Sequence, residues 1–288
     1  MNFTLAFILS LISAVGYSII SIFIGRVAKK NGSYWTSFWI QVLGLPLTAL
    51  FIPFFGVNLS FNIYFLPIIV FSIGIFFTFI IYTKSLSIGP VPVVQAVLRL
   101  GSFITFILAI LFLGETVNLT KIVAGILIIL GVILVSFDLK ILFKKKIKTL
   151  TKAIPYALLQ AFINGIIFTL LAISIKHFDG FSANLAVRLI VVPLFLASSF
   201  TVRKPNKNFF KSSWRILLFI AAVDAVAFIL FTVSIKLYQV SLVAMTQSTF
   251  PVITAILCAA FLHEHLIRSQ KVGIVITFTG SFLLAFSG

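Results

Sequence analysis

Three ionisable residues of this sequence, Arg99, Arg188 and Asp224, are each flanked on both sides by runs of apolar residues. A charge inside a long apolar stretch is costly, so such residues are functional candidates by default. Counting about 1.5 Å per helical residue from the start of each stretch puts Arg99 and Asp224 at a similar depth of about 12 Å. They are candidates for an ion pair, which either locks two helices together or binds a ligand and relays protons.

The charges of these three residues do not balance. Two guanidinium groups against one carboxylate leave a positive excess, which favours a ligand with a carboxylate or another anion. A free amino acid suits this arrangement, with Asp224 available for its ammonium group. This hypothesis rests on charge balance alone.

Two glutamines lie near the arginines in the sequence pattern. Gln95 precedes Arg99 by four residues, so the two share one helix face. Gln247 has a predicted depth of about 10 Å and Arg188 one of about 8 Å, counted from the same side. Gln247 and Arg188 are therefore candidates for contact, while Arg188 has the alternative of extending to the interface.

The stretch around Gln247 also contains a proline. Pro251 removes one backbone hydrogen bond, which predicts a kink beside Gln247 and Thr254 and a candidate hinge. Trp39 lies close to one helix end, where an interfacial anchor and a cavity-facing position both stay open.

The bulk composition excludes a soluble domain. Hydrophobic residues make up 61% of the 288 residues, charged residues 9%, and the mean hydropathy is +1.24, whereas soluble domains are about 25% charged. The net charge of +17 comes from short basic runs between apolar segments, which is typical of membrane proteins and argues against nucleic-acid binding. The five acidic residues form no enzyme motif, and no cofactor is expected. His263 and His265 lack zinc-site spacing, so no metal site is predicted.

Apolar stretches long enough for helices recur ten times and predict an all-α integral membrane protein in the lipid bilayer. The fifth and tenth are short. The stretches span 3–25, 34–55, 63–83, 91–113, 122–137, 154–175, 183–200, 216–235, 240–262 and 272–286.

A lysine-rich segment, 138–153, separates two halves, 1–137 and 154–288. If this linker is cytoplasmic, most other basic loop residues share its side, which is the charge asymmetry of a plasma-membrane (inner-membrane) protein. Both termini then face outward. Only Lys121, Lys176 and Lys236 are left for the outer loops.

The two halves match each other at a constant offset of 149 residues. An odd number of five helices per half requires that the halves have opposite orientation, as in many secondary transporters. The matching pairs are Gly16 and Gly165, Thr105 and Thr254, Glu115 and Glu264, and Gly131 and Gly280.

The sequence resembles a known family at these same positions. The segments 86–90 (LSIGP), 93–101 (VVQAVLRLG) and 111–115 (LFLGE), with a second copy that includes 261–264 (FLHE), are similar to the EamA domain of the drug/metabolite transporter superfamily. This resemblance implies ten helices in two inverted EamA repeats, and export of small metabolites, often amino acids, by alternating access. His263 departs from the family pattern, which expects glycine.

Several alternatives stay open. A multidrug exporter of lipophilic cations is disfavoured because 3–25 and 154–175 contain no acidic residue, and a lipid-carrier flippase is a further alternative. Protons are a candidate coupling ion besides exchange or facilitated transport, and both a monomer and a homodimer are compatible with the sequence. Glu115 and Glu264 are expected to cap the helices that follow them or to pair with basic residues. The small residues at 124, 131, 273 and 280 predict close helix packing or dimerisation.

Overall fold

The computed structural model describes residues 2–59, 61–115, 118–136, 147–203, 209–262 and 267–285, and their regular structure is helical. Apolar segments form helices in a membrane because every backbone polar group must then find its partner within the segment. The helices are α1 (Asn2–Asn31), α2 (Ser33–Ala49), α3 (Ile52–Phe55), a 3₁₀ turn (Ile63–Phe65), α4 (Leu66–Ile88), α5 (Val91–Leu98), α6 (Leu100–Leu113), α7 (Leu119–Ser136), α8 (Ile147–His177), α9 (Gly180–Ser199), α10 (Phe209–Leu237), α11 (Val240–Gln247), α12 (Phe250–Leu262) and α13 (Arg268–Ala285).

Two of the predicted spans are each divided into two helices. The fourth breaks between α5 and α6 at Arg99, and the ninth breaks between α11 and α12 at Ser248 and Thr249. At both breaks a tighter hydrogen bond appears, from Arg99 N to the Ala96 carbonyl (3.2 Å) and from Ser248 N to the Met245 carbonyl (3.0 Å). Arg99 and Ser248 are separated by the repeat offset, so both halves carry the same interruption.

Pro251 is the second residue of α12 rather than the centre of a long helix. A proline in the first turn of a helix loses no hydrogen bond, because the first N–H groups have no helical partner. The interruption lies beside Gln247, where the kink was predicted, but its cause differs: the helix ends before Pro251 and a new helix starts around it.

Within the described residues, seven helical segments are long and apolar enough to cross a membrane, and the apolar helix Leu119–Val135 is shorter. The protein is a multi-pass membrane protein. The number of ten crossings stays a prediction, because α2 and α13 do not meet the same criterion.

α8 and α10 begin earlier than their apolar stretches, at Ile147 and Phe209. Lysine and arginine are good helix formers, so basic residues continue a helix beyond its apolar part. Most of the predicted linker 138–153 lies outside the described residues.

The two halves pack against each other through equivalent helices. α1 packs on α10 and α2 on α10, while their counterparts α8 and α9 both pack on α4. α7, the last helix of the first half, packs along α13, the last helix of the second half. The bundle is therefore assembled from contacts between the halves as well as within them.

The small residues of α7 and α13 face each other inside the same chain. A β-carbon at Gly131 would lie 2.6 Å from the Gly273 carbonyl oxygen, and one at Gly280 would lie 2.8 Å from the Ala124 carbonyl oxygen. These positions therefore allow the two backbones to touch. Of the two predicted uses, the structure shows packing within the chain.

Candidate functional site

A cavity of about 150 Å³ lies between the two halves. Its wall is mainly apolar, with four phenylalanine side chains at positions 79, 168, 228 and 231. The larger polar and charged side chains of the wall are Tyr17, Gln41, Tyr82, Arg99, Gln160, Asn164, Arg188, Asp224 and Gln247.

Arg188 lies in the wall of this cavity, and each of its two terminal nitrogens donates one hydrogen bond to a protein group, while its Nε is buried and has no partner among the described residues. Nη2 donates to Asp224 Oδ2 at 2.8 Å, and Nη1 donates to Gln41 Oε1 at 3.1 Å. The side chain of Arg188 is 1% exposed and that of Asp224 7%. The ion pair thus joins α9 to α10, and the glutamine adds α2 from the other half.

The predicted pairing of Arg99 with Asp224 is wrong, because Asp224 pairs with Arg188. The prediction was wrong because depths were counted from the starts of the apolar stretches and not from the starts of the helices. α9 begins at Gly180 and α10 at Phe209, both before the apolar stretches start, so Arg188 and Asp224 lie deeper in the bundle and meet.

Gly44 on α2 provides the space that the Arg188 guanidinium occupies. A β-carbon at Gly44 would overlap Arg188 Nη1 and lie 3.1 Å from Arg188 Cζ. The side chain of Arg188 also lies over the Phe228 ring, with Cζ 5.9 Å from the ring centroid. The Asp224 carboxylate, the Gln41 amide and the Phe228 ring together hold the Arg188 guanidinium in place.

Arg99 lies at the break between α5 and α6 and lines the cavity without a polar partner. Within the described part of the chain its guanidinium makes no hydrogen bond and no ion pair, and Nε is buried. Its Cζ lies 4.4 Å from the centroid of Phe250, a cation–π contact that orients the group without neutralising it. Phe250 is the first residue of α12, so the breaks of the two halves meet here.

Gln95 shares a side of α5 with Arg99 but does not line the cavity. It is completely buried, and its Nε2 donates to the Tyr82 hydroxyl at 3.1 Å. Tyr82 does line the cavity. Gln95 therefore contributes to the cavity wall indirectly, by a hydrogen bond that positions the Tyr82 hydroxyl.

Gln247 lines the cavity but does not contact Arg188 through a hydrogen bond. Its Nε2 donates to the Ser10 carbonyl at 3.1 Å and to Ser13 Oγ at 3.0 Å. These contacts tie the end of α11 to α1 in the other half.

Thr254 and Trp39 are not among the residues of the cavity wall. Thr254 Oγ1 donates to the Phe250 carbonyl at 3.0 Å within α12. The Trp39 ring packs on Phe210, with centroids 4.3 Å apart. Trp39 therefore packs against α10 and does not line the cavity.

Glu115 caps a helix of the other half. Its two carboxylate oxygens accept hydrogen bonds from the backbone N–H groups of Val240 (2.7 Å) and Ser241 (2.9 Å), the first residues of α11. A carboxylate at a helix N-terminus is favourable because it satisfies free N–H groups and the helix dipole. Capping was predicted, but for the helix that follows Glu115 along the chain. Glu264 lies outside the described residues.

Several polar residues of the cavity wall were missed by a search for ionisable groups alone. Gln160 and Asn164 are four residues apart in an apolar stretch, and Gln41 is an amide in another. That spacing puts the first two on one helix face, and it is the signal that could have found them.

Within the parts of the chain that the structure describes, no three metal-ligating side chains come together. The residues His263 and His265 lie outside those parts. The cavity offers a cation, amides and aromatic rings to a ligand, groups that bind small molecules.

The sequence matches the EamA-like transporter family twice, over residues 4–137 and 151–286. The chain belongs to this family, as its resemblance predicted, and consists of two EamA repeats. It is a membrane transporter of the drug/metabolite transporter superfamily.

A solved structure titled "Crystal structure of protein" is similar in fold, with a TM-score of 0.76 and 12% sequence identity over 98% of this chain and 99% of that one. At this identity the likeness concerns the fold alone. No curated protein matches the sequence.

Proposed function

We propose that the protein exports small polar metabolites with a carboxylate, such as amino acids, through the cavity between its two repeats. The observation that carries this proposal is the guanidinium of Arg99, which lines the cavity and has no anionic partner among the residues that the structure describes. Since Asp224 already pairs with Arg188, the cavity has a net charge of one positive unit. A bound carboxylate would give the guanidinium of Arg99 an anionic partner, and the planar guanidinium group binds a carboxylate through two hydrogen bonds.

The apolar part of the wall supports the same substrate class. Four phenylalanine rings surround a cavity with a few polar groups, as is usual for small-molecule sites. A ligand with one anionic end and an apolar body fits such a wall. A lipophilic cation fits poorly, because it would lie close to an unpaired arginine.

Alternating access between the repeats is the mechanism that we propose for transport. The cavity wall contains residues of both halves, and the two helix breaks meet at Arg99 and Phe250. Interrupted helices at the interface between repeats are the usual place of substrate sites in such transporters.

The proposal is tested by ligand-induced thermal stabilisation of the purified protein. Amino acids, organic anions, nucleotides and cationic dyes are compared in wild type, Arg99→Met and Arg26→Met. A ligand at about 100 times its Kd stabilises the protein by about 2.7 kcal/mol. We expect carboxylate ligands to stabilise wild type, with a loss of affinity of about 10- to 100-fold in Arg99→Met, since a charged hydrogen bond contributes about 1.5–3 kcal/mol.

Arg26→Met is the matched control, because Arg26 is exposed at the end of α1 and does not line the cavity. It should retain wild-type binding. Stabilisation only by cationic dyes, with the same strength in Arg99→Met, would contradict the proposal and favour the multidrug alternative. Export of a radiolabelled ligand from proteoliposomes then tests transport.

A further inference from the structure

Two amide side chains of α8, Gln160 and Asn164, lie in the cavity wall without a partner. Within the described residues neither makes a hydrogen bond, and the Gln160 Oε1 and Asn164 Oδ1 atoms are both buried. Gln160 is 7% exposed. A buried amide oxygen without a hydrogen bond is costly, and in a native protein it calls for an explanation such as a ligand.

The two amides point into the cavity in a row. They are separated by one helical turn, and Phe168, one turn further along α8, also lines the cavity. One face of α8 thus presents two polar groups followed by an aromatic ring. Because both amides are on the same face, they can bind a single group of a ligand together.

Gln160 and Asn164 share the cavity wall with Arg99. α6, which follows Arg99, crosses α8 so closely that a β-carbon at Gly101 would lie 2.6 Å from the Ala161 carbonyl oxygen. Thr105 Oγ1 also donates to the Gly165 carbonyl at 3.1 Å. The crossing brings the backbone at the start of α6 close to the turn of α8 that contains Gln160, and the side chains of Arg99 and Gln160 line the same cavity.

We infer that Gln160 and Asn164 form an amine-binding subsite that recognises the ammonium group of an α-amino acid whose carboxylate is bound by Arg99. This inference rests on the proposed function. An ammonium group has only donors, and the free amide oxygens are acceptors. In an α-amino acid both charged groups are attached to one carbon atom, so their binding groups must lie in one site, and Arg99, Gln160 and Asn164 line the same cavity.

Asp224 is the competing acceptor for the ammonium group, as the sequence suggested. Its Oδ2 atom already accepts a charged hydrogen bond from Arg188. The amide oxygens of Gln160 and Asn164 accept no hydrogen bond from the described residues. They also carry no net charge, so the site accepts a zwitterion without a second buried carboxylate.

The test compares each amino acid with its deaminated acid, using phenylalanine with 3-phenylpropanoate and leucine with 4-methylpentanoate. Affinities are measured by calorimetry in wild type and in the shape-conserving variants Gln160→Met and Asn164→Leu, singly and together. We expect wild type to prefer the amino acid by about tenfold, and the double variant to lose this preference while it binds the deaminated acid as before.

Asn184→Leu is the control. Asn184 is a fully buried amide without partners, but it is on α9 and does not line the cavity. It should leave the preference intact. Gln160→Glu adds a measurement of opposite sign, because a carboxylate at this position should strengthen binding of the amino acid and weaken binding of the deaminated acid.

An unchanged preference in the double variant, or a preference that disappears only in Asp224→Asn, overturns the amide subsite. In both cases the carboxylate still binds at Arg99, and the proposed function stands. If neither member of a pair binds to wild type, the proposed function itself fails, and the subsite fails with it.

Discussion

The two arginines of the cavity wall, one in each half, differ in what surrounds them. Arg188 has a carboxylate, an amide oxygen and a glycine that leaves it space. Arg99 has an aromatic ring and no acceptor among the described residues. Two residues of the same type in one cavity wall thus differ: both terminal nitrogens of Arg188 bind protein groups, whereas we propose that Arg99 binds a ligand. Depth in the membrane alone does not distinguish them.

The largest expected effect is a decrease in the free energy of unfolding when Arg188 is replaced. Arg188→Met leaves Asp224 as a buried carboxylate without its partner, and removing one member of a buried pair costs about 3–5 kcal/mol. Arg99→Met should change the free energy of unfolding by less than about 1 kcal/mol, because it removes an unpaired charge. Chemical unfolding in detergent measures both. Equal losses in the two variants would contradict the division of roles.

An intermediate effect is expected at the glycine that accommodates Arg188. Gly44→Ala puts a methyl group where Nη1 lies, and overpacking of this kind costs about 1–3 kcal/mol. Gly32→Ala is the comparison, because position 32 has open space for a methyl group but a positive φ of 89°. A loss of stability there reports backbone strain without overpacking. In the double variant Gly44→Ala with Arg188→Met the penalty at position 44 should disappear. An additive loss would show that the guanidinium is not what the methyl group meets.

The smallest effect should follow from Phe250→Leu. This change removes the ring over which Arg99 lies, and an exposed or partly exposed cation–π contact contributes about 0.5–1 kcal/mol. We expect a two- to fivefold change in affinity for carboxylate ligands, measured by calorimetry, by the usual relation of free energy to Kd. Phe195→Leu, at a fully buried ring outside the cavity wall, should lower stability without changing affinity.

The sequence was sufficient for the helical class, the two repeats and the family. These depend on apolar runs and on residue spacing, which are local properties. The break at Arg99 was not predicted, because the residues next to it are apolar and none of them is a proline. The break at Ser248 lies beside Gln247, where a kink was predicted, but the prediction gave it a different cause. Pro251 was recognised, but its effect was assigned to the middle of a helix.

The pairing of Arg188 with Asp224 could not be derived from the sequence. It depends on which helices are neighbours and where each begins, and helices that are apolar on all sides give no directional signal for their lateral contacts. The helix capped by Glu115 was missed for the same reason, since Val240 is far along the chain. The amides Gln160 and Asn164 were visible in the sequence, but they carry no charge and were not considered.

The contact of α7 with α13 has a mechanical consequence. At Gly131 and Gly273 the two backbones touch with no side chain between them, so neither helix can slide along the other without a collision. Yet α7 belongs to the first repeat and α13 to the second. If the two repeats move against each other as we propose, this contact of α7 with α13 is expected to be the part of their interface that moves least.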